Sequence, residues 1–124
     1  MTIGRYLENV IINHLLRNQS FSSPNKIYVS LHSADPGQIG KNELVERPYT
    51  RQPIVFSPST DGTTSNEKEI EFFDMPASNI THMGLWDDVQ KGHFLWGGAL
   101  ASPKRLGVGD ALRILAHDLE ISID

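Results

Sequence analysis

From residue 27 to residue 123 the chain runs in short segments whose apolar residues alternate with polar ones, divided by glycine, proline and Asp/Asn turns. One stretch of helical periodicity precedes them. A period of two sends successive side chains to opposite faces, so each segment can cover a core and none can bury itself alone. Such a chain is confined to an all-β fold, expected here as an antiparallel β-sandwich or jelly-roll-like domain with an N-terminal amphipathic helix. The expected division is residues 1–24 as helical arm and linker and residues 25–124 as the sandwich domain. A chain of 124 residues supports one hydrophobic core, and its apolar share of 39% is slightly low, so neighbouring subunits are expected to supply part of the stability.

The helical stretch covers residues 2–18, where Ile3, Tyr6, Leu7, Val10, Ile11, Leu15 and Leu16 recur at spacings of three and four. Thr2 is the expected N-cap and Asn18 the expected terminator. At about 1.5 Å per residue such a helix would be roughly 24 Å long. Its stripe either caps an open end of the sandwich or forms an arm that docks on a neighbouring subunit.

About seven strands follow. Ile27, Val29 and Leu31 alternate with Tyr28, Ser30 and His32, and Pro36-Gly37 marks a turn. Residues 37–50 have little periodicity and read as a long surface loop. Ile54 and Phe56 resume the alternation, with Pro53 pointing to an edge position, and residues 57–66 read as a turn region. Ile70 and Phe72 face inward beside Glu67, Glu69 and Glu71. Next, Ile80, His82, Gly84 and Trp86 are expected on one face, with Thr81, Met83 and Leu85 on the other. Phe94, Trp96 and Leu100 are expected together, opposite Leu95 and Ala99, with Gly97-Gly98 marking a bulge or a close backbone approach. Leu112 with Ile114, then Leu119, Ile121 and Ile123, supply the last strands.

Chemistry is harder to find than architecture. The 11 Lys and Arg against 15 Asp and Glu, a net charge of −4, argue against a nucleic-acid binder. The absence of cysteine excludes disulfides, thiolate catalysis and cysteine-ligated metals. No segment reaches the roughly 18 apolar residues of a membrane span, and the N-terminus lacks a clean signal-peptide pattern. His32 and Asp35 flank a turn with no further spaced ligand, His82 reads as a packed histidine, and Asp87-Asp88 fits a turn better than a calcium loop. Nucleophile elbow, phosphate-cradling loop and paired-histidine zinc helix are all missing. The expectation is therefore a protein without catalytic residues, metal ligands or cofactor. Tyr28 and Tyr49 are candidates for stacking on a sugar, Tyr28 with the alternative of packing under the helix.

Several stretches carry a resemblance that spans nearly the whole chain. They are Tyr6-Leu7-Glu8-Asn9, then Ile27-Tyr28-Val29-Ser30-Leu31-His32-Ser33-Ala34-Asp35-Pro36-Gly37, and Glu46-Arg47-Pro48-Tyr49-Thr50-Arg51-Gln52. Thr81-His82-Met83-Gly84-Leu85-Trp86-Asp87, Leu95-Trp96-Gly97-Gly98-Ala99-Leu100, Gly109-Asp110 and the ending 118–124 continue it. The chain resembles a family of small tailed-bacteriophage virion proteins commonly labelled tail fibre proteins, and is similar in size and sandwich fold to capsid decoration, or cement, proteins. It departs from the family before Tyr49, where a charged Asn42-Glu43-Leu44-Val45-Glu46-Arg47-Pro48 replaces a glycine-rich stretch.

The resemblance implies a non-enzymatic virion protein, made in the host cytoplasm. The leading expectation is a decoration protein that stabilises the head from its outer surface, with the major capsid protein and sister copies as partners, a trimer being one suitable closed form. The alternative is a tail fibre or baseplate module for fibre assembly or host carbohydrate recognition, with tail proteins or a host glycan as partners. Neither reading involves nucleic acid or a membrane. The contacts are expected from Ile3, Tyr6, Leu7, Val10, Ile11 and Leu15 on the helix and from Glu43, Arg47 and Tyr49 in the loop.

Overall fold

In the computed structural model, which describes residues 1–123, the strongest alternation forms the centre of a five-stranded antiparallel sheet. Along the chain come β1 (Thr2–Ile3), α1 (Arg5–Leu16), β2 (Ile27–His32), β3 (Gln52–Ile54), β4 (Thr63–Ser65), β5 (Ile70–Met75), β6 (Ser78–Trp86), β7 (Phe94–Leu106), β8 (Asp110–Ile114) and β9 (Glu120–Ser122). The large sheet has the order β1-β7-β6-β2-β3, while β4 with β9 and β5 with β8 form two-stranded ribbons. Val29, Leu31, Leu85 and Leu95 of the sheet share one core with Ile70, Phe72, Leu112, Ile114 and Ile121 of the ribbons. The fold is all-β and antiparallel with an N-terminal helix. Pro53, which cannot donate to a ladder, sits in β3 at the edge of the sheet.

Nine strands form among the described residues instead of about seven, because β1 and β4 are too short and too polar to show a period. β4 is Thr-Thr-Ser, placed in what reads as a turn region, and becomes a strand by pairing with Glu120, Ile121 and Ser122. β1 alters the start of the helix. Thr2 and Ile3 pair with Gly97 and Trp96, so Thr2 is a strand residue and not the N-cap, and α1 begins after Gly4. A Cβ on Gly4 would lie 2.6 Å from the Phe94 carbonyl oxygen. Its backbone N–H donates to the Leu95 carbonyl, which ties the strand-to-helix corner to β7.

An irregularity in β7 corrects an expected face. Leu85 is paired with Trp96 but Trp86 with Phe94, so one extra residue, Leu95, interrupts the register. Phe94 therefore lies with Trp86, and Trp96 lies across from Leu85 on the opposite face, contrary to the expectation that Phe94 and Trp96 point the same way. Further along, β7 carries extra residues between Ala99 and Lys104, the partners of His82 and Ile80. Ile80 is fully buried and belongs to the same core as Leu85. Gly84 and Gly97 face each other across the ladder, and a Cβ on either would meet the Phe94 ring at 2.7 or 2.6 Å. The two glycines thus make the slot that this ring fills.

β2 is buried on both faces, not on one. Val29 and Leu31 enter the main core, while Ser30 and His32, on the other side, are equally inaccessible. The segment 36–41 supplies their cover, with Gly40 packed against Trp86 and the backbone of Lys41 reaching His32.

Candidate functional site

Two polar clusters lie where the loop 36–51 crosses the large sheet. In the first, the Trp86 indole N–H donates to Ser30 Oγ (2.8 Å), Ser30 Oγ lies 2.7 Å from His32 Nε2, and His32 Nδ1 lies 2.7 Å from the Lys41 carbonyl. A carbonyl only accepts, so Nδ1 carries the proton, Nε2 accepts from the Ser30 hydroxyl, and the hydroxyl accepts from the indole. Every group in this chain is satisfied with a neutral imidazole. Burial, partly offset by the bond to Lys41, holds the His32 pKa below its ordinary value. The ring is a buried structural group with both nitrogens engaged, and Asp35 stabilises the turn by accepting the Gly37 N–H.

The second cluster is built on Arg51, whose side chain is 6% exposed. Its Nε and Nη2 donate to the two oxygens of Glu43, each at 2.9 Å, and Nη1 donates to the carbonyls of Asp88 and Lys91, each at 2.8 Å. The guanidinium also lies 3.8 Å from the centre of the Trp86 ring, a cation–π contact. The Tyr49 hydroxyl donates to Glu43 at 2.6 Å and accepts the Leu31 backbone N–H. Burial alone would raise the Glu43 pKa, but hydrogen bonds from Arg51 and Tyr49 outweigh it and hold the carboxyl below its usual range. Burial, reinforced by the bond to Glu43 and its charge, pushes the Tyr49 phenol well up. The long loop is therefore clamped to β2 and to the turn 87–92, with Leu44 buried and its N–H bonded to the Leu31 carbonyl.

The expected contact residues separate into two groups. Tyr49 is buried, stacks on Phe72 and belongs to the core, while Glu43 is consumed by Arg51. Leu7 is buried, and Ile3, Tyr6, Val10 and Ile11 are partly buried against the protein's own core, Tyr6 stacking on the His93 ring at 3.8 Å. Leu15 and Arg47 remain open to a partner. Beyond Ile11 the helix has run past the body, so Ile12, Leu15 and Leu16 are 52%, 70% and 79% exposed. Tyr28 is partly buried in the sheet, between Trp86 and Pro53 in the ladder.

Arg51 and Ser30 were not legible as site residues, since their partners lie as far as 40 and 56 positions away. Three of the other histidines make local contacts, His82 with Thr81, His93 with Asp87 and His14 with the Gln19 carbonyl, while His117 reaches Ser65 across the chain. Among the described residues no three metal-ligating side chains gather, and no helix is long and apolar enough to cross a membrane.

Two concave surfaces stand out among the described residues. An apolar groove is lined by Ile27, Phe56, Leu85, Leu95, Trp96 and Ile121. A polar cavity of about 350 Å³ lies between the loop 43–51 and the turn 89–91, with the Glu43–Arg51 pair in its wall.

The family described as podophage GP4 fiber I protein gp80 matches residues 2–122, almost the full chain. No curated protein matches it.

Proposed function

The chain belongs to the podophage GP4 fiber I protein gp80 family, and from that premise we propose that it is a non-enzymatic fibre module of the phage tail, joining fibre parts through complementary surfaces. Its standing as a fibre-type virion protein follows from the family. Placement on the tail, and the partners there, are our reading.

The observation that carries it is the match over residues 2–122. That match favours the fibre alternative and lends no support to the leading expectation of capsid decoration. The structure is compatible with an assembly role. Among the described residues no buried side-chain nitrogen or oxygen atom is without a hydrogen-bond partner, and both clusters fasten a loop to the sheet, which leaves those side chains little freedom to lose on binding. The apolar end of α1 gives the protein an anchor for another fibre protein or a sister copy.

Gold-labelled antibody against the protein, applied to intact virions, tests the placement. Labelling along or at the base of the tail is expected; labelling spread over the head would overturn the tail assignment and restore the decoration reading.

A further inference from the structure

The cavity between the loop 43–51 and the turn 89–91 has a charge opposite to that of the chain. Its wall contains Arg47, Arg51 and Lys91 against one carboxylate, Glu43, a local excess of two positive charges (three minus one) on a protein whose net charge is −4. Glu43 is already committed to Arg51 and Tyr49. Arg47 and Lys91 are exposed and form no ion pair among the described residues. Arg51 adds a second, independent sign. A guanidinium has five N–H groups, and the protein accepts four of those of Arg51, leaving one on Nη2 without an acceptor although the side chain is almost fully buried.

We propose that this cavity binds an acidic saccharide unit, its carboxylate or phosphate held by Arg47 and Lys91 with the spare N–H of Arg51, and its ring lying against Val45 and Val89. The volume of about 350 Å³ is at the small end of ligand pockets and suits one or two sugar rings. The lining matches the mixed surface of a sugar. Val45 and Val89 meet its C–H face, and the Gln90 amide and Thr50 hydroxyl can bond its hydroxyls. A bare anion would use only the cations, and a lipid or apolar peptide would leave them unpaired. The wall is also set in advance, since Arg51 is fixed by Glu43, by two backbone carbonyls and by the Trp86 ring.

This inference builds on the fibre reading by giving the module a ligand class, but its test uses purified protein and so fails independently of virion placement. Calorimetric titration of the full chain at low salt would compare a panel of uronic-acid and phosphate-bearing oligosaccharides with neutral oligosaccharides of equal length, inorganic phosphate and poly-glutamate. Binding to at least one acidic oligosaccharide is expected, with neutral sugars inert, and the sugar that binds identifies whether the anion is carboxylate or phosphate. Arg47→Gln and Lys91→Gln remove charge at exposed positions where the fold does not depend on it, and each should weaken that binding at least about tenfold. Amide resonance shifts should centre on residues 45–51 and 89–91. The proposal is overturned by silence across the acidic panel, by affinity unchanged in both variants, or by inorganic phosphate or poly-glutamate binding as tightly as the best saccharide. The poly-glutamate result would make the cavity a site for an acidic protein segment.

Discussion

At the scale of single residues, the fold rests on polar groups that a sequence of this composition hides in its sheet. Arg51 cancels the charge of Glu43 and supplies hydrogen bonds to two turn carbonyls, so removing it leaves a partly buried carboxylate with only Tyr49 as donor. Arg51→Met should lower unfolding free energy by about 3–5 kcal/mol in urea titrations. Adding Glu43→Gln to Arg51→Met should recover part of that loss, because the stranded charge is then gone. The same groups set a pH dependence. Unfolded, His32 takes up a proton near its ordinary pKa of 6.5, whereas the folded protein resists it, so stability falls as pH drops through that value. Glu43 adds to the loss: its contribution is complete above its ordinary pKa of 4.5 and disappears as pH falls from there toward its lowered folded value. Thermal midpoints should therefore decline from pH 7.5 to 5.5 and decline further below 4.5, and His32→Asn should flatten the first segment. A midpoint that rises on acidification to pH 5.5 would contradict the neutral, hydrogen-bonded imidazole.

At the scale of elements, period and punctuation were enough to place most strands and the helix, since apolar alternation is a local property. The boundaries and faces that escaped depend on contacts distant in sequence. β4 has no apolar period and exists only because β9 pairs with it, and Thr2 and Ile3 leave the helix because β7 offers a free edge. A single inserted residue at Leu95 reverses the side on which Trp96 lies, and no local signal marks it. The clamp was invisible for the same reason, as Arg51 is fixed by a carboxylate eight positions before it and carbonyls about forty after it. The glycine slot on β6 and β7 can be tested directly. Gly84→Ala places a Cβ 2.7 Å from Phe94 and 2.9 Å from Ser30 Oγ, so it should cost about 1–3 kcal/mol and disturb the Trp86 fluorescence. The exposed end of α1 should behave in the opposite way. Leu15→Glu with Leu16→Glu should leave the thermal midpoint within a degree or two, because neither side chain is in the core, yet prevent incorporation into tails when the variant complements a deletion phage.

At the scale of the whole molecule, the protein is a small all-β body with a docked helix whose apolar end is exposed. A protein of 124 residues has a limited core of its own. Membership of the podophage fiber I family gives that body its setting, and the stiff loop gives it a defined face. The tail-module account is most directly tested by counting copies of the protein per purified virion by quantitative mass spectrometry, with heads and tails separated before digestion. The account predicts a small number of copies, recovered with tails. Hundreds of copies recovered with heads would contradict it and identify the protein as a decoration of the shell.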